Sequence, residues 1–295
     1  MTVLRRNSPR LDKIVEALST SFGSEYYCIW NNYNHYPFST QQSGYFFAYK
    51  KVLSSKKSLL CAETPLIGRH LFDKDDPNCY YRVAFEFVST FDTKNFRLED
   101  FEPDESRLLS MLSSLEITCS PWRKSGSHIL YAMQVPADTS LRGLDVFAAA
   151  QYDLLQIRLV SDRPIFITLH PKIFEEAWAR DKFEKNKENL LGFLEVAKLV
   201  GANLDHGQSS KSLLKDCWCV VCHSSGFGIE SILAGVPVIT LSNGSFVRGI
   251  TSHSLNDIES PWTGDIWPEL SRLAYCQWTL DEIKNGKTYE HLLRN

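Results

Sequence analysis

The sequence lacks the features that mark several large classes of protein. It has no apolar run of the roughly 18 residues that a membrane-spanning helix needs, no internal repeat and no low-complexity segment. The motifs G-x-x-x-x-G-K and G-x-S-x-G are also missing, which argues against a P-loop nucleotide site and against the nucleophile turn of an α/β-hydrolase.

A charge excess of one sign is missing too. Lys and Arg total 32 against 35 for Asp and Glu, a net charge of -3, so a polyanionic partner must be met by a local basic patch. The composition is 43% hydrophobic and 23% charged, which excludes a disordered or fibrous chain. At 295 residues the chain is long enough for two domains, each with its own core.

The eight cysteines lack the spacing of a disulfide framework, and the beginning of the sequence lacks the apolar run of a signal peptide. We therefore expect reduced thiols and a cytoplasmic protein without a membrane span. Cys217-x-Cys219-x-x-Cys222 invites a zinc interpretation, but residues of a strand alternate between its two faces and no second cysteine pair follows. These thiols are expected to be structural.

The second half of the chain alternates strands with helices. Strands are predicted at His128–Gln134 and Ile165–Leu169, with a helix at Leu144–Val160 between them, a pattern typical of a parallel sheet with right-handed crossovers. The pattern of residues 217–241 predicts a strand, a Gly-rich turn, a helix that ends at a glycine, and a second strand. Turns that follow such strands meet at the carboxyl edge of the sheet, where doubly wound folds bind ligands.

Three of these turns supply candidate binding residues. We expect Gln134, Ser140, His170 and Lys172 to contact the phosphate groups of a nucleotide, with His170 also stabilising a departing diphosphate. The alternative is that His170 only caps a strand.

The turn Ser224-Ser225-Gly226 opens a helix whose free N–H groups favour a phosphate. Glu230, further along that helix, can accept hydrogen bonds from ribose hydroxyls. The alternatives are helix capping by the serines and a surface acid stabilised by the helix dipole. Gly226-x-Gly228 lacks the third glycine and the following acid of a dinucleotide fingerprint, so NAD is set aside.

Two carboxylates are candidates for the base that deprotonates an acceptor hydroxyl. Glu63 ends an apolar run in the first half, where an acid at a strand end of an α/β lobe would point into a cleft, and Asp138 in the turn after Gln134 is its rival. Arg69 can orient an acceptor or a phosphate, or can simply pair with Glu63. No metal ligand set is visible, so no cofactor is expected; loosely held magnesium on a diphosphate stays open.

These motifs, in this order, resemble the second half of the capsule-type, Kdo-transferase-like glycosyltransferases of the GT-B fold: Gln134-x-Pro136, His170-Pro171, Ser224-Ser225, Gly228-x-Glu230 and Ala234-Gly235-x-Pro237-Val238. The resemblance covers roughly residues 128–260. It implies two Rossmann-like lobes whose parallel sheets face a cleft, and metal-independent transfer from a nucleotide sugar. The expected domains are an acceptor-binding lobe (1–125), a nucleotide-sugar lobe (126–260) and a helical extension packed across both (261–295).

The ends of the chain are more similar to short glycosyltransferases encoded by bacteriophages: Ala62–Arg69, the box Asp257–Pro261 and the tail from Leu273. This second resemblance implies a sugar acceptor in DNA, a hydroxymethylated pyrimidine, met by a basic face of Arg5, Arg6, Lys50, Lys51, Lys56, Lys57, Arg123 and Lys124. Such clusters are also ordinary solvated surface. A surface polysaccharide as acceptor, or a non-catalytic nucleotide- or sugar-binding module, are the alternatives.

Overall fold

The computed structural model describes residues 13, 16, 17, 20, 26–29, 45–49, 59–73, 76, 78–85, 103–136, 141, 143–170, 180, 181, 184–204 and 210–294. The chain divides into two compact units, the first formed by Met1–Ile117 with Trp267–Asn295 and the second by Thr118–Ile266. None of the helices described is long and apolar enough to cross a membrane.

The first unit contains an antiparallel sheet of five strands in the order β1-β2-β3-β4-β10. Its strands are β1 (Tyr26–Ile29), β2 (Tyr45–Tyr49), β3 (Leu59–Glu63), β4 (Tyr80–Phe85) and β10 (Gln277–Thr279). The expectation of a parallel sheet in this lobe is therefore wrong. Consecutive strands such as β3 and β4 pair directly with each other, and antiparallel neighbours need no helical crossover.

The last part of the chain belongs to this first unit. Helix α6 (Trp267–Ala274) leads into β10, and helices α7 (Leu280–Lys284) and α8 (Lys287–Arg294) follow. Thr279 starts α7 with a capping box, in which its hydroxyl accepts from the Glu282 amide and the Glu282 carboxylate accepts from the Thr279 amide. The segment expected as a purely helical extension thus also contributes a strand.

Arg107, on helix α1 (Ser106–Ser114), fastens this C-terminal segment to the rest of the unit. Its guanidinium pairs with both carboxylate oxygens of Glu282 at 2.8 and 3.1 Å and donates to the carbonyls of Ala274 and Gln277. It also lies over the Trp278 ring, 3.9 Å from the centroid. The planar fork of arginine suits this combination of a bidentate pair and a stacking contact.

The second unit contains a parallel sheet of five strands in the order β7-β6-β5-β8-β9. Its strands are β5 (His128–Ala132), β6 (Ile165–Thr168), β7 (Asn203–Leu204), β8 (Cys217–Cys222) and β9 (Val238–Thr240). This order and direction confirm the α/β class and a Rossmann-like sheet in the second half of the chain.

Helices cover both faces of this sheet. Helices α2 (Val146–Val160) and α3 (Lys187–Leu199) bury side chains such as Phe147, Leu154 and Phe193 against one face. Helix α4 (Ser210–Leu214) precedes β8, and α5 (Phe227–Leu233) covers the other face, where Gly228 lies close to Cys222 and Val238. Both faces are apolar because a buried parallel strand has no solvated side, which explains the near-continuous run 217–222.

Candidate functional site

The centre of the parallel sheet is a topological switch point. From β5 the chain passes through α2 to β6 on one side, whereas from β8 it passes through α5 to β9 on the other side. The connections that leave β5 and β8 at their carboxyl ends therefore run to opposite sides of the sheet. This is the position at which open α/β sheets bind ligands.

A buried side chain ties these two turns together. The amide oxygen of Gln134, just after β5, accepts hydrogen bonds from the backbone N–H of Ser224 at 2.9 Å and from its hydroxyl at 3.3 Å. Both residues are buried, Gln134 at 7% and Ser224 at 3% exposure. A buried amide pair of this kind fixes the relative position of the two turns, because losing it would leave buried polar groups unsatisfied.

The other residues of the second turn have local structural contacts. The Ser225 hydroxyl accepts from the Phe227 N–H at 3.2 Å, a local serine turn just before α5, whose N-cap residue is Gly226 and has no side-chain capping bond. Gly226 directly precedes α5, and Glu230 lies half-buried in its first turn. With only seven residues, α5 is a short helix, so its dipole gives a phosphate limited support.

His170 belongs to the same sheet edge. It follows β6, which pairs with β5, and the Met133 N–H donates to the Thr168 carbonyl at 3.0 Å where both strands end. The half-buried His170 and the buried Gln134 thus leave neighbouring strands in parallel. Ser140, Asp138 and Lys172, the remaining residues predicted on these turns, lie outside the described residues.

A network that the sequence analysis did not identify lies at the switch point. The Asp153 carboxylate, from the middle of α2, accepts from the Tyr131 hydroxyl at 2.7 Å and contacts Nε2 of His223 at 2.9 Å through the same oxygen. His223 is the first residue after β8 and directly precedes Ser224. The histidine therefore belongs to the turn that Gln134 holds in place.

Burial makes this network electrostatically strong. Side-chain exposure is 8% for Asp153 and 11% for His223, and Tyr131 is fully buried on β5. Burial, together with the neighbouring Asp153 carboxylate, raises the pKa of Tyr131 well above its usual value. The phenol therefore stays protonated at neutral pH and donates to the carboxylate.

One signal in the sequence was available for this network. Asp153 falls on the same helical face as Ala150, Leu154 and Ile157, all of which are buried. A carboxylate on the buried face of a helix needs partners, because burying an unpaired charge is very costly. The sequence did not show which residues those partners were.

The candidates of the first half lie in the other unit. Glu63 ends β3 and is in register with Arg82 of β4, and Arg69 is exposed in a 3₁₀ turn, Arg69–Leu71. Because β3 is antiparallel to both of its neighbours, the argument that placed Glu63 at the carboxyl edge of a parallel sheet is wrong. A role for Glu63 as base stays a prediction on the residue type alone.

Of the predicted basic face, the structure describes only Arg123 and Lys124. Arg123 belongs to the second unit and donates to the backbone carbonyls of Leu214 and Cys217 at 2.6 and 2.8 Å. It is therefore a structural residue that holds the entry to β8. The other six basic residues lie outside the described part of the chain.

The box Asp257–Pro261 lies at the opposite edge of the sheet. Glu259 accepts from Arg163, which precedes β6, through both of its carboxylate oxygens, and also from Ser161. The Trp218 indole, at the start of β8, donates to the Ile258 carbonyl at 2.6 Å, and Arg163 lies over its ring. These contacts close the amino edge of the sheet, so the box has a structural role.

The cysteine cluster is buried in β8. Cys217 and Cys219 lie on one face of the strand and Cys222 on the other, all at 0% exposure. In the part of the chain that the structure describes, no three His, Cys, Asp or Glu side chains are grouped as a metal site. These thiols are core residues of the sheet.

Comparison with protein-family models gives no match, and neither does comparison with curated protein sequences. Among solved structures, the chain is similar to Thermosulfurimonas dismutans KpsC, described as a beta Kdo 2,7 transferase, with a TM-score of 0.46. The identity is 14%, over 79% of this chain and 77% of that chain. A likeness of this size assigns neither fold nor activity.

Proposed function

We propose that the protein is a glycosyltransferase that binds the phosphate groups of a nucleotide sugar at the switch point of its parallel sheet. The observation that carries this proposal is the pair of hydrogen bonds from Ser224 to the Gln134 amide oxygen, which joins the turns after β5 and β8. Doubly wound sheets with such a switch point include many that bind nucleotides there. The motif resemblance over residues 128–260 narrows the ligand to a sugar donor.

The turns provide neutral and cationic hydrogen-bond donors for this ligand. His170, which follows β6, and Lys172 after it are the proposed contacts to the leaving phosphate, and the Ser224–Gly226 turn is the proposed contact on the side of β8. Glu230 is the proposed partner of the ribose hydroxyls. Ser140 completes the donor site in the turn after Gln134.

In the transfer, the bond between the anomeric carbon and the phosphate oxygen breaks, and the electron pair stays on that oxygen. The acceptor hydroxyl forms the new bond to the carbon and gives its proton to a base, Glu63 or Asp138. Positively charged donors act without a metal ion by stabilising the charge that develops on the phosphate. The region 1–125 keeps its proposed role as the acceptor-binding lobe of a GT-B enzyme.

The proposed acceptor is the hydroxyl of a hydroxymethylated pyrimidine in DNA, with a surface polysaccharide as the competing acceptor. A modified base in duplex DNA has to leave the stack before its hydroxyl can enter an active site. A DNA substrate therefore predicts faster transfer to single strands or to mismatched positions than to a perfect duplex.

The proposal is tested by incubating the purified full chain with radiolabelled nucleotide sugars and three acceptors: hydroxymethylated DNA, unmodified DNA of the same sequence and an oligosaccharide. Sugar incorporated only into the modified DNA supports the DNA acceptor, and incorporation only into the oligosaccharide selects the polysaccharide. Nucleotide binding without transfer to any acceptor would identify a binding module instead.

Residue roles are tested in the same assay. His170→Ala is expected to lower the transfer rate by about 100-fold or more if it meets the leaving phosphate. Glu63→Gln is expected to abolish transfer and to leave donor affinity unchanged if Glu63 is the base. Full activity of Glu63→Gln would assign the base to Asp138. Full activity of His170→Ala would show that His170 only caps its strand and does not contact the leaving phosphate.

A further inference from the structure

We propose that His223 takes up a proton at Nδ1 when a phosphate ligand binds and donates a hydrogen bond to it from there, and that Asp153 is the positioning residue of His223. The nature of the ligand rests on the proposed function, whereas the geometry of the network does not. The ring belongs to the turn after β8, where Ser224 is the next residue, and its Nε2 lies 2.9 Å from the Asp153 carboxylate.

The first step concerns the charge on Asp153. Its side chain is 8% exposed, and its Oδ2 atom has two partners, the Tyr131 hydroxyl and the His223 ring. An ionised carboxylate only accepts hydrogen bonds, so the Tyr131 hydroxyl donates to it and Nε2 of His223 must carry a hydrogen. Two donors on one oxygen are the compensation that a buried carboxylate requires.

The second step concerns the other ring nitrogen. With a hydrogen fixed on Nε2, the neutral imidazole has its lone pair on Nδ1, and any further proton has to be added there. Nδ1 lies on the side of the ring turned away from Nε2 and hence from Asp153. Among the described residues, the hydrogen-bond contacts of the His223 ring, to Asp153 and at 3.4 Å to the Tyr131 hydroxyl, are both made by Nε2. Asp153 thus sets both the tautomer and the direction of the ring, as an orienting carboxylate does for a catalytic histidine.

The third step concerns the ligand. The oxygens of a phosphate dianion accept hydrogen bonds and do not donate them, so His223 can bind phosphate only after Nδ1 takes up a proton. The resulting imidazolium lies between two anions, Asp153 and the phosphate, and its N–H groups point to both. Charge-assisted hydrogen bonds of this kind are about twice as strong as neutral ones.

Other titratable groups around the ring do not supply this proton. Burial and the Asp153 carboxylate raise the pKa of Tyr131, and burial raises the pKa of Cys222 to about 12, so both are neutral and protonated at neutral pH. Asp153 is the anion that faces Nε2, and His170 follows the strand on the far side of β5. Proton uptake on ligand binding is therefore assigned to His223, with His170 as the histidine to be tested separately.

The test measures protons taken up when CMP, UMP, UDP or GDP binds to the full chain. Calorimetry at about pH 7.5 in buffers of different ionisation enthalpy gives this number. Wild type is expected to take up a substantial fraction of one proton. His223→Gln is expected to bind about tenfold more weakly and to lose the uptake.

Two further variants separate a chemical role from a structural one. Asp153→Asn is close in shape and is expected to reduce proton uptake, because it removes the anion that balances the imidazolium. His253→Gln is the matched control, since His253 is exposed in the second unit, and its uptake and affinity are expected to equal those of wild type. If His223→Gln fails to fold, the histidine nitrogen spectrum of wild type decides: a neutral His223 with its hydrogen on Nδ1 overturns the inference.

The outcomes distinguish this inference from the proposed function. Nucleotide binding with proton uptake, but without sugar transfer, supports the role of His223 and contradicts the glycosyltransferase. Binding whose proton uptake is zero, or is unchanged in His223→Gln, overturns this inference and leaves the proposed function intact. If uptake disappears only in His170→Gln, the proton belongs to His170. If none of the four nucleotides binds, the phosphate ligand is wrong in both proposals.

Discussion

The amide oxygen of Gln134 accepts two hydrogen bonds from Ser224, a residue 90 positions further along the chain. This contact spans the point where the parallel sheet changes direction, and it makes one rigid site from two distant turns. The backbone N–H and the hydroxyl of Ser224 therefore hold the two turns together.

Removing this contact is expected to destabilise the second unit and to weaken nucleotide binding together. Gln134→Ala leaves the buried Ser224 N–H without its acceptor, a loss of about 1–3 kcal/mol in the free energy of unfolding. Urea denaturation of the variant and of wild type measures this difference in the free energy of unfolding. The control is Gln156→Ala, a half-buried position on α2, for which a change of about 0.5 kcal/mol or less is expected. Equal effects of both substitutions would contradict the assigned role of Gln134.

Gly235 is expected to tolerate no side chain. Its φ is +74°, and an added Cβ would lie 2.2 Å from the Pro121 carbonyl oxygen. Gly201 is the control, because its φ is +66° and no atom lies near its added Cβ. Gly201→Ala therefore has only the cost of the left-handed backbone conformation, about 1 kcal/mol, and no steric clash. Gly235→Ala should lose clearly more stability than Gly201→Ala in thermal or urea unfolding. Similar losses would show that the segment 118–123 does not lie against this turn.

The parallel sheet could be predicted from sequence because its signals are local. The strands β5, β6 and β8 are short apolar runs, and each is separated from the next by a helix with apolar residues at helical spacing. Asp145 caps α2 by accepting from Phe147 and Ala148, which is a local contact as well. The alternation of such elements determines parallel pairing through the handedness of the crossovers.

The antiparallel sheet and the Asp153 network could not be predicted in the same way. Strand β10 pairs with β4 in register across nearly 200 residues, for example Gln277 with Arg82, and no local pattern encodes such a partner. Asp153 and His223 are 70 positions apart and meet only after the sheet has formed. The sequence located the carboxyl edge of the sheet correctly, but it did not identify the Asp153–His223 contact there.

The stability of the first unit is expected to fall in acid through Glu282. Burial alone would raise the pKa of this carboxyl, but the hydrogen bonds and charge of Arg107, with a smaller effect of Thr279, lower it below its usual value. A lowered pKa in the folded state contributes stability that is present above the unfolded value, about 4.3, and is lost as the pH falls through the folded value. Urea unfolding should therefore show a decline below about pH 4.3.

Glu282→Gln removes this ionisation and is the test of that assignment. The variant should be less stable than wild type near neutral pH, and the difference should shrink as the pH falls. Asp281→Asn is the matched control, because Asp281 is the exposed neighbour on the same helix. A difference between Glu282→Gln and wild type that stays constant with pH would show that Glu282 contributes no pH-dependent stability.

The buried thiols are expected to be unreactive in the folded chain. Burial raises the pKa of Cys217, Cys222 and Cys276 to about 12, so almost no thiolate is present at neutral pH. Alkylation followed by mass spectrometry should label these three only after unfolding. Cys119, which is half-buried, should be labelled before these three. Early labelling of Cys222 would contradict the packing of α5 on the sheet.

The most direct test of the central claim is hydrogen–deuterium exchange of the full chain with and without CMP, UMP, UDP and GDP. If a nucleotide binds at the switch point, protection should be concentrated in the peptides that contain Met133–Pro136 and His223–Gly226. Protection elsewhere with none in these two turns, or no protection by any of the four nucleotides, would contradict the account.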